Sequence, residues 1–448
     1  MKQTDDLRQL PPRPRRSAVA VRAGRTGLVF ARHGAQLAKR VLSENRGAAT
    51  ASELRLAFEA LGPTYVKLAQ LIASSPGLFP DALADEFRSC LDEVPPVPVD
   101  QVMAVIEADL GAHPDRLFGS FDRSPLASAS IAQVHAATLL DGTEVVVKVQ
   151  RPGIGPRISA DLAILERIAS VVHRVSATGR MANPIAVVED FETTLGEELN
   201  FVIEARSMER FATNMRSFGT NEAVRVPAVH WPLTTPRVLT MERIHGYKID
   251  DLERLDATGW DLAATLKRGV RAWLEGALQH GFFHGDVHAG NLMVDTDGNI
   301  VFLDFGICGT LDNTTRDIIR SGLPALLVQR DFHAVAEAIY QMGAVLGPAD
   351  LDQSARDIAE IVEPVLDRPL SEISYGEVLV DIVRIGTRYE VRLPRELVLV
   401  AKQLLYFERY AKLIAPDWTI LDDPELFGFL FQAVVGEAAP SDAAPDEA

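Results

Sequence analysis

The chain is 448 residues long with 47% hydrophobic and 24% charged residues, enough for two or three domain-sized units with ordinary cores. Cys90 and Cys308 are its only cysteines, which excludes a disulfide framework or a cysteine-built zinc site and points to a reducing compartment. A net charge of −17 disfavours nucleic acid as a general partner, yet residues 1–50 carry eleven Lys/Arg against three Asp/Glu, a basic arm suited to an anionic membrane surface. No run of eighteen apolar residues and no signal-peptide pattern occurs, so the expectation is a cytoplasmic protein able to sit peripherally on the inner face of the membrane.

Pro11, Pro12 and Pro14 among Arg13, Arg15 and Arg16 mark residues 1–16 as a basic leader, followed by a predicted helix over Ser17–Leu42. On that helix Phe30, Leu37, Val41 and Leu42 share one side and Arg25, Arg32 and Lys39 another. This pattern fits either a membrane-surface helix or one packed on the domain. Gly62-Pro63 starts a second helix through Ala73, with Leu61, Tyr65, Leu68 and Ile72 as its apolar stripe and Lys67 and Gln70 opposite. A further helix is expected over Val99–Leu110.

Pro125 to His135 is a loop of small residues that includes Ala127, Ser128, Ala129, Ser130 and Ile131. It leads into two strands joined at Asp141-Gly142, and the second strand ends near Lys148. Small side chains let backbone N–H groups approach phosphate oxygens, and a lysine on the next strand can contact the same phosphates. A long helix is expected over Pro184–Phe218, with Glu204 chosen to hold Lys148 because Phe201, Ala205 and Met208 give that helix a docking side. Glu198 and Asn200 are candidates to face a metal. Past the strand ending at Met241, backbone from Met241 and Glu242 is the predicted link between lobes that would meet adenine.

A helix over Leu262–Gly281 then leads to His284-Gly-Asp286-Val-His-Ala-Gly-Asn291. Two short strands follow, Asn291–Asp295 and Ile300–Asp304, joined by Thr-Asp-Gly-Asn and ending in Asp304-Phe-Gly306. The hairpin brings Asn291 and Asp304 together as magnesium ligands beside Asp286, which would orient the proton of a nucleophile. Gly285 stands where protein kinases carry the Arg of His-Arg-Asp, and only Ile307–Asn313 precede the next helical stretch. A long activation loop has no room, which argues against a peptide substrate. A last helix is expected over Pro394–Phe431.

In combination these motifs resemble the atypical kinase family named for the bacterial AarF and UbiB proteins, over about residues 50–425. The family's KxGQ helix is matched by Lys67-Leu-Ala69-Gln70 and its alanine-rich loop by Ala127–His135. Its ExD segment is matched by Glu198-Leu-Asn200 with Glu204 following, and its lysine, catalytic loop and magnesium motif by Lys148, Asp286/Asn291 and Asp304. Ala69 replaces a glycine and Asn200 an acid. The resemblance implies an α+β, bilobal protein-kinase-like fold with an N-terminal helical extension carrying a KxGQ-like motif. It also implies ATP and magnesium as cofactors, activity as a kinase or ATPase, and a link to isoprenoid quinone or other lipid metabolism. In the family the KxGQ helix lies over the active-site cleft, which would turn Lys67 and Gln70 toward the nucleotide.

The expected organisation is a basic arm (1–50), a helical extension (51–115), an N-lobe with inserted helices (116–246), a helical C-lobe (247–434) and a disordered Ala/Pro/Asp/Glu tail (435–448). Two other readings stay open. His-Gly-Asp-x-His-x-Gly-Asn also suits small-molecule phosphotransferases of the aminoglycoside or choline kinase type. The basic arm also suits a nucleotide-gated lipid- or partner-binding module with little phosphate transfer.

Overall fold

The computed structural model describes residues 15–40, 46–73, 81–87, 94–175, 184–217, 221–345, 350–365, 391–392, 395–418, 423 and 425–426. Most of the basic leader, Cys90 and the acidic tail lie outside the described residues. The chain forms two compact units, Met1–Glu209 with Pro227–Ile244, and Arg210–Val226 with His245–Ala448. The sequence reading kept 116–246 together. Arg210–Val226 belongs to the second unit because Phe211 stacks on Phe302 and Phe305, and Val224–Arg225 pairs in parallel with Ile300–Val301.

The first unit starts with four helices, α1 (Arg16–Arg40), α2 (Arg46–Leu61), α3 (Pro63–Ala73) and α4 (Asp81–Phe87). Every residue of the predicted stripe, Leu61, Tyr65, Leu68 and Ile72, is buried, and Ala69 is fully covered. Gly62 ends α2 in the left-handed region at φ +93°, where a Cβ would collide with the Arg157 guanidinium. Arg157 donates to the Leu61 carbonyl at 2.7 Å.

One buried carboxylate ties three helices together. Asp161, on α6 (Ile154–Val175), accepts from Arg22 Nε of α1 at 2.6 Å, from Arg22 Nη2 at 2.8 Å and from Thr64 Oγ1 of α3 at 2.8 Å. Phe30 packs edge-on against Phe58 and Tyr65 at 6.3 and 6.5 Å. Of the two readings of the basic helix, packing on the domain therefore describes its Phe30 side. Arg25 and Arg32 remain exposed, together with Val21 and Leu28.

After α5 (Val99–Leu110), strands β1 (Ser120–Ser128), β2 (Ala132–Thr138), β3 (Glu144–Gln150) and β4 (Val238–Glu242) form an antiparallel sheet in that order. Strand periodicity sorts β3 into two faces. Val145, Val147 and Val149 join Val102, Val105 and Ile106 of α5 in one core cluster. Lys148 and Gln150 take the other face.

The single helix expected over Pro184–Phe218 is two, α7 (Pro184–Glu198) and α8 (Phe201–Ser217). Asn200 causes the break, because its Oδ1 accepts from Val202 N at 3.1 Å as an N-cap side chain does. Gln150 Nε2 donates to the Leu199 carbonyl at 2.6 Å and so satisfies a backbone acceptor that the break exposes.

The second unit carries β5 (Gly246–Lys248), α9 (Leu262–Leu278), β6 (Phe282–His284), β7 (Leu292–Asp295), β8 (Ile300–Phe302) and β9 (Cys308–Thr310). The predicted hairpin is β7–β8, flanked by β5 and by Val224–Arg225 in one sheet, while β9 pairs with β6. Helices α10 (Asn313–Pro324), α11 (Phe332–Met342), α12 (Leu351–Val362) and α13 (Arg395–Ile414) follow. Helix α13 ends at Ile414 within the predicted stretch, Glu425–Leu426 are helical again, and most of the stretch between Trp418 and the predicted end at Phe431 lies outside the described residues. Pro416 removes an N–H and disfavours helical backbone at Ala415.

Candidate active site

In the first unit, the face of β3 opposite the valine core presents Lys148 to α8. Its Nζ lies 2.8 Å from Glu204 Oε1 and 3.0 Å from Oε2, with side chains 10% and 4% exposed. Phe201, Ala205 and Met208 are all buried beneath, which fixes the helix rotation that aims Glu204. Lys67 Nζ stands 3.3 Å from Glu198 Oε2, so the polar side of α3 meets the end of α7. Gln70 is half-buried two turns into the same helix.

The small-residue loop is tightly held. Ala129 N donates to Ala132 O at 2.9 Å, and Arg151, the residue after β3, donates to Ala129 O at 2.8 Å and to Ser128 Oγ at 2.9 Å. Ala127 and Ser128 close β1, while Ser130 and Ile131 are buried at the turn. The Ser130 hydroxyl is buried with no hydrogen-bond partner. Met241 and Glu242, expected just past the strand, are the last two residues of β4, where Met241 is buried and Glu242 N donates to Ala228 O at 2.8 Å.

In the second unit, Trp273 of α9 is fully buried against Phe283 and Phe407 and donates from Nε1 to His284 O at 2.8 Å. The His284 ring packs edge-on against Phe305. Its Nε2 donates to Leu303 O at 2.8 Å and its Nδ1 accepts from Asp286 N at 3.1 Å, so one neutral tautomer serves both bonds. Gly285 is closely packed: a Cβ would sit 2.9 Å from Leu399 Cδ2 and 3.1 Å from Ile307 O, so a larger residue here would require those neighbours to shift.

Asn291 Nδ2 donates to the Asp286 carbonyl at 2.9 Å, and Leu303 N donates to Asn291 O at 2.8 Å. The loop and the base of the β7–β8 hairpin are thereby fixed together. The bond to Asp286 uses Nδ2 and leaves Oδ1 of Asn291 as a candidate ligand atom. Asp304 is exposed and holds φ +53°, a left-handed conformation uncommon for non-glycine residues and one in which aspartate is enriched. Among the described residues no three His, Cys, Asp or Glu converge on a metal position. Hard oxygen donors from Asn291 and Asp304 nevertheless fit magnesium, which takes few protein ligands when phosphates supply the rest.

Burial pushes the Asp286 carboxyl up, but the Lys402 ammonium outweighs it and holds the group below the usual carboxylate range. Burial likewise drives His284 below its ordinary 6.5 against the pull of the Leu303 carbonyl, and His135 of β2 below it against Asp122 O. The folded protein thus binds fewer protons than the unfolded chain once pH drops to about 6.5 and below. Stability should therefore fall as pH falls through that value, by up to ~1.4 kcal/mol per pH unit for each histidine. Melting temperatures measured across this range check it, and His284→Gln should flatten the slope.

Three residues of α13 escaped the sequence reading. Lys402 Nζ is 2.9 Å from Asp286 Oδ1. Gln403, fully buried, donates from Nε2 to Gly285 O at 2.7 Å and accepts from Val287 N at 2.8 Å. Tyr410 donates to Val287 O at 3.0 Å. Nothing in the local sequence of Lys402-Gln403 signals these contacts.

Comparison with known proteins agrees with this layout. The ABC1 atypical kinase-like domain model matches residues 89–339, and the UbiB helical domain model matches 358–419. An uncharacterized protein of Mycobacterium tuberculosis is 47% identical over 383 residues, covering 86% of this chain and 78% of that one. The protein named "Probable protein kinase UbiB" of Pseudomonas putida is 38% identical over 370 residues, covering 82% of this chain and 68% of that one. Among solved structures, that of Rv3197 with erythromycin, also from Mycobacterium tuberculosis, aligns with a TM-score of 0.53 at 23% identity, covering 79% of this chain and 91% of that one. With its lysine–glutamate pair, its braced Asp286–Asn291 loop and these matches, the chain belongs to the ABC1/UbiB atypical kinase family and has the kinase-like fold of that family.

Proposed function

We propose that this protein binds magnesium-ATP and acts as an atypical kinase or ATPase in isoprenoid quinone or other lipid metabolism. The observation that carries the reading is the hairpin base. It fixes Asn291 to Asp286 and leads directly to Asp304 in its left-handed conformation. Lys148, oriented by Glu204, would hold the phosphates, with the backbone of Ala127–Ile131 over them and that of Met241 and Glu242 against adenine. Asn291 and Asp304 would hold magnesium, which neutralises phosphate charge when bound, and Glu198, beside Lys67 in the first unit, is a further candidate ligand. Lys67 and Gln70 would cover the nucleotide from α3.

A peptide acceptor is disfavoured, because β9 and the start of α10 follow Gly306 directly and leave no long activation segment. Radiolabelled ATP with magnesium should give phosphate release or a labelled lipid fraction. Rapid turnover of one soluble hydroxyl compound would instead make the chain a small-molecule phosphotransferase.

The family link to lipid metabolism and the basic arm support peripheral contact with anionic membranes. No helix among the described residues is long and apolar enough to cross a membrane. The outward side of α1 offers Val21, Arg25, Leu28 and Arg32 at helical spacing, all exposed. Deleting the whole arm would also remove the buried Arg22–Asp161 pair, so Leu28→Asp with Arg25→Glu is the cleaner variant. It should weaken co-sedimentation with anionic liposomes, and unchanged binding would remove α1 from the reading.

A further inference from the structure

The loop from His284 to Asn291 contains no lysine or arginine, yet its aspartate is paired with a cation from far away in the chain. Lys402 lies 116 positions later, in α13, with its Nζ 2.9 Å from Asp286 Oδ1. The two side chains are only 25% and 20% exposed. The ammonium also lies 5.8 Å from the Tyr406 ring centre, on its own helix, and that ring packs edge-on against His288.

Neighbouring contacts show how firmly the helix holds this spot. Gln403 bonds the backbone on both sides of Asp286, at Gly285 O and Val287 N, and Tyr410 holds Val287 O. Lys402 therefore projects from a fixed helix onto a fixed loop. An ordinary surface pair between two long, solvated side chains lacks both supports. The two carboxylate oxygens are also unequal. Oδ1 faces Lys402, whereas Oδ2, among the described residues, has His288 Nε2 at 3.6 Å.

We infer that Lys402 is a positioning residue for phosphoryl transfer: it holds Asp286 Oδ1 so that Oδ2 is presented to the hydroxyl of the acceptor. The inference rests on the magnesium-ATP reading above. In the step it serves, the acceptor oxygen, from an alcohol or from water, forms a bond to the γ-phosphorus. The bond from that phosphorus to the bridging oxygen breaks, and ADP leaves with the electron pair. The acceptor's proton passes to Asp286 Oδ2 and from there to solvent. The C-terminal helical region thereby supplies part of the catalytic apparatus that the loop itself lacks.

The test compares wild type, Lys402→Met, Lys402→Arg, Asp286→Asn and the Lys402→Met/Asp286→Asn double variant, measuring magnesium-ATP turnover and nucleotide dissociation constants on the full chain. Lys402→Met should lower kcat roughly a hundredfold while the dissociation constant moves less than about threefold, because orientation and not binding is lost. Lys402→Arg should recover to within about tenfold of wild type, since it restores a cation on Oδ1. In the Asp286→Asn background, Lys402→Met should have no further effect, because the lysine acts through the aspartate. A kcat for Lys402→Met within about threefold of wild type, no rescue by arginine, or losses that add in the double variant would each overturn the role of Lys402. Should Lys402→Met fail to fold, the arginine variant and the Asp286→Asn pair decide the matter, and loss of folding without rescue overturns it. Wild type that binds no magnesium-ATP would bring down the functional reading itself, a result visible in the wild-type arm alone.

Discussion

Replacing Lys148 by methionine is expected to destabilise the first unit by about 3–5 kcal/mol, one of the largest single-residue effects in the chain. The reason is burial. Lys148 and Glu204 are 10% and 4% exposed and 2.8 Å apart, so the variant takes the ammonium away from a buried carboxylate. Removing both charges should be much less costly, because an apolar pair of similar volume needs no solvation. Urea unfolding of Lys148→Met, Glu204→Leu and the double variant checks this, and a double variant no more stable than either single one contradicts it. Nucleotide binding should behave differently. On the role proposed for Lys148 it should be lost in all three variants, since the ammonium proposed to hold phosphate is absent or no longer oriented, and stability recovered in the double variant should not restore it.

The second large effect lies in α13. Gln403→Leu keeps the approximate volume but leaves the Gly285 carbonyl and the Val287 N–H buried without partners. At roughly 1–3 kcal/mol for each stranded group, the expected loss is about 2–6 kcal/mol. Because those two groups flank Asp286, turnover should fall by about a hundredfold even where the variant stays folded. Gln403→Glu separates the two bonds: it can still accept from Val287 N but, when ionised, cannot donate to Gly285 O. Its stability should lie between wild type and the leucine variant. Equal stability of wild type and Gln403→Leu would show that α13 does not brace the loop.

These two sites differ sharply in how far the sequence exposed them. Lys148 and Glu204 could be picked out because local periodicity places each: alternating valines fix the face of β3, and Phe201, Ala205 and Met208 fix the face of α8. The β7–β8 hairpin was readable for the same reason, with short apolar strands on either side of a turn built on Asp295 and Gly298. Lys402, Gln403 and Tyr410 were not readable, because their partners lie more than a hundred residues upstream and no spacing rule links them. The Arg22–Asp161 pair was hidden likewise, so the basic, amphipathic pattern of α1 left a membrane-surface helix and a packed one both open, whereas one side of it is built into the unit. The break at Asn200 had a visible cause, since a capping side chain interrupts an otherwise helical pattern, but the apolar periodicity running through it was the stronger signal.

We propose that this site handles magnesium-ATP through Asp304. The most direct measurement is the melting temperature of the purified chain with ATP, with and without magnesium, in wild type and Asp304→Asn. A ligand at about a hundred times its dissociation constant stabilises by ~2.7 kcal/mol, enough to read as a clear rise. The account predicts that rise for wild type with magnesium, its loss on chelation, and its loss in Asp304→Asn. A wild-type protein with no magnesium-dependent rise, or an Asp304→Asn variant that keeps it in full, would contradict the account.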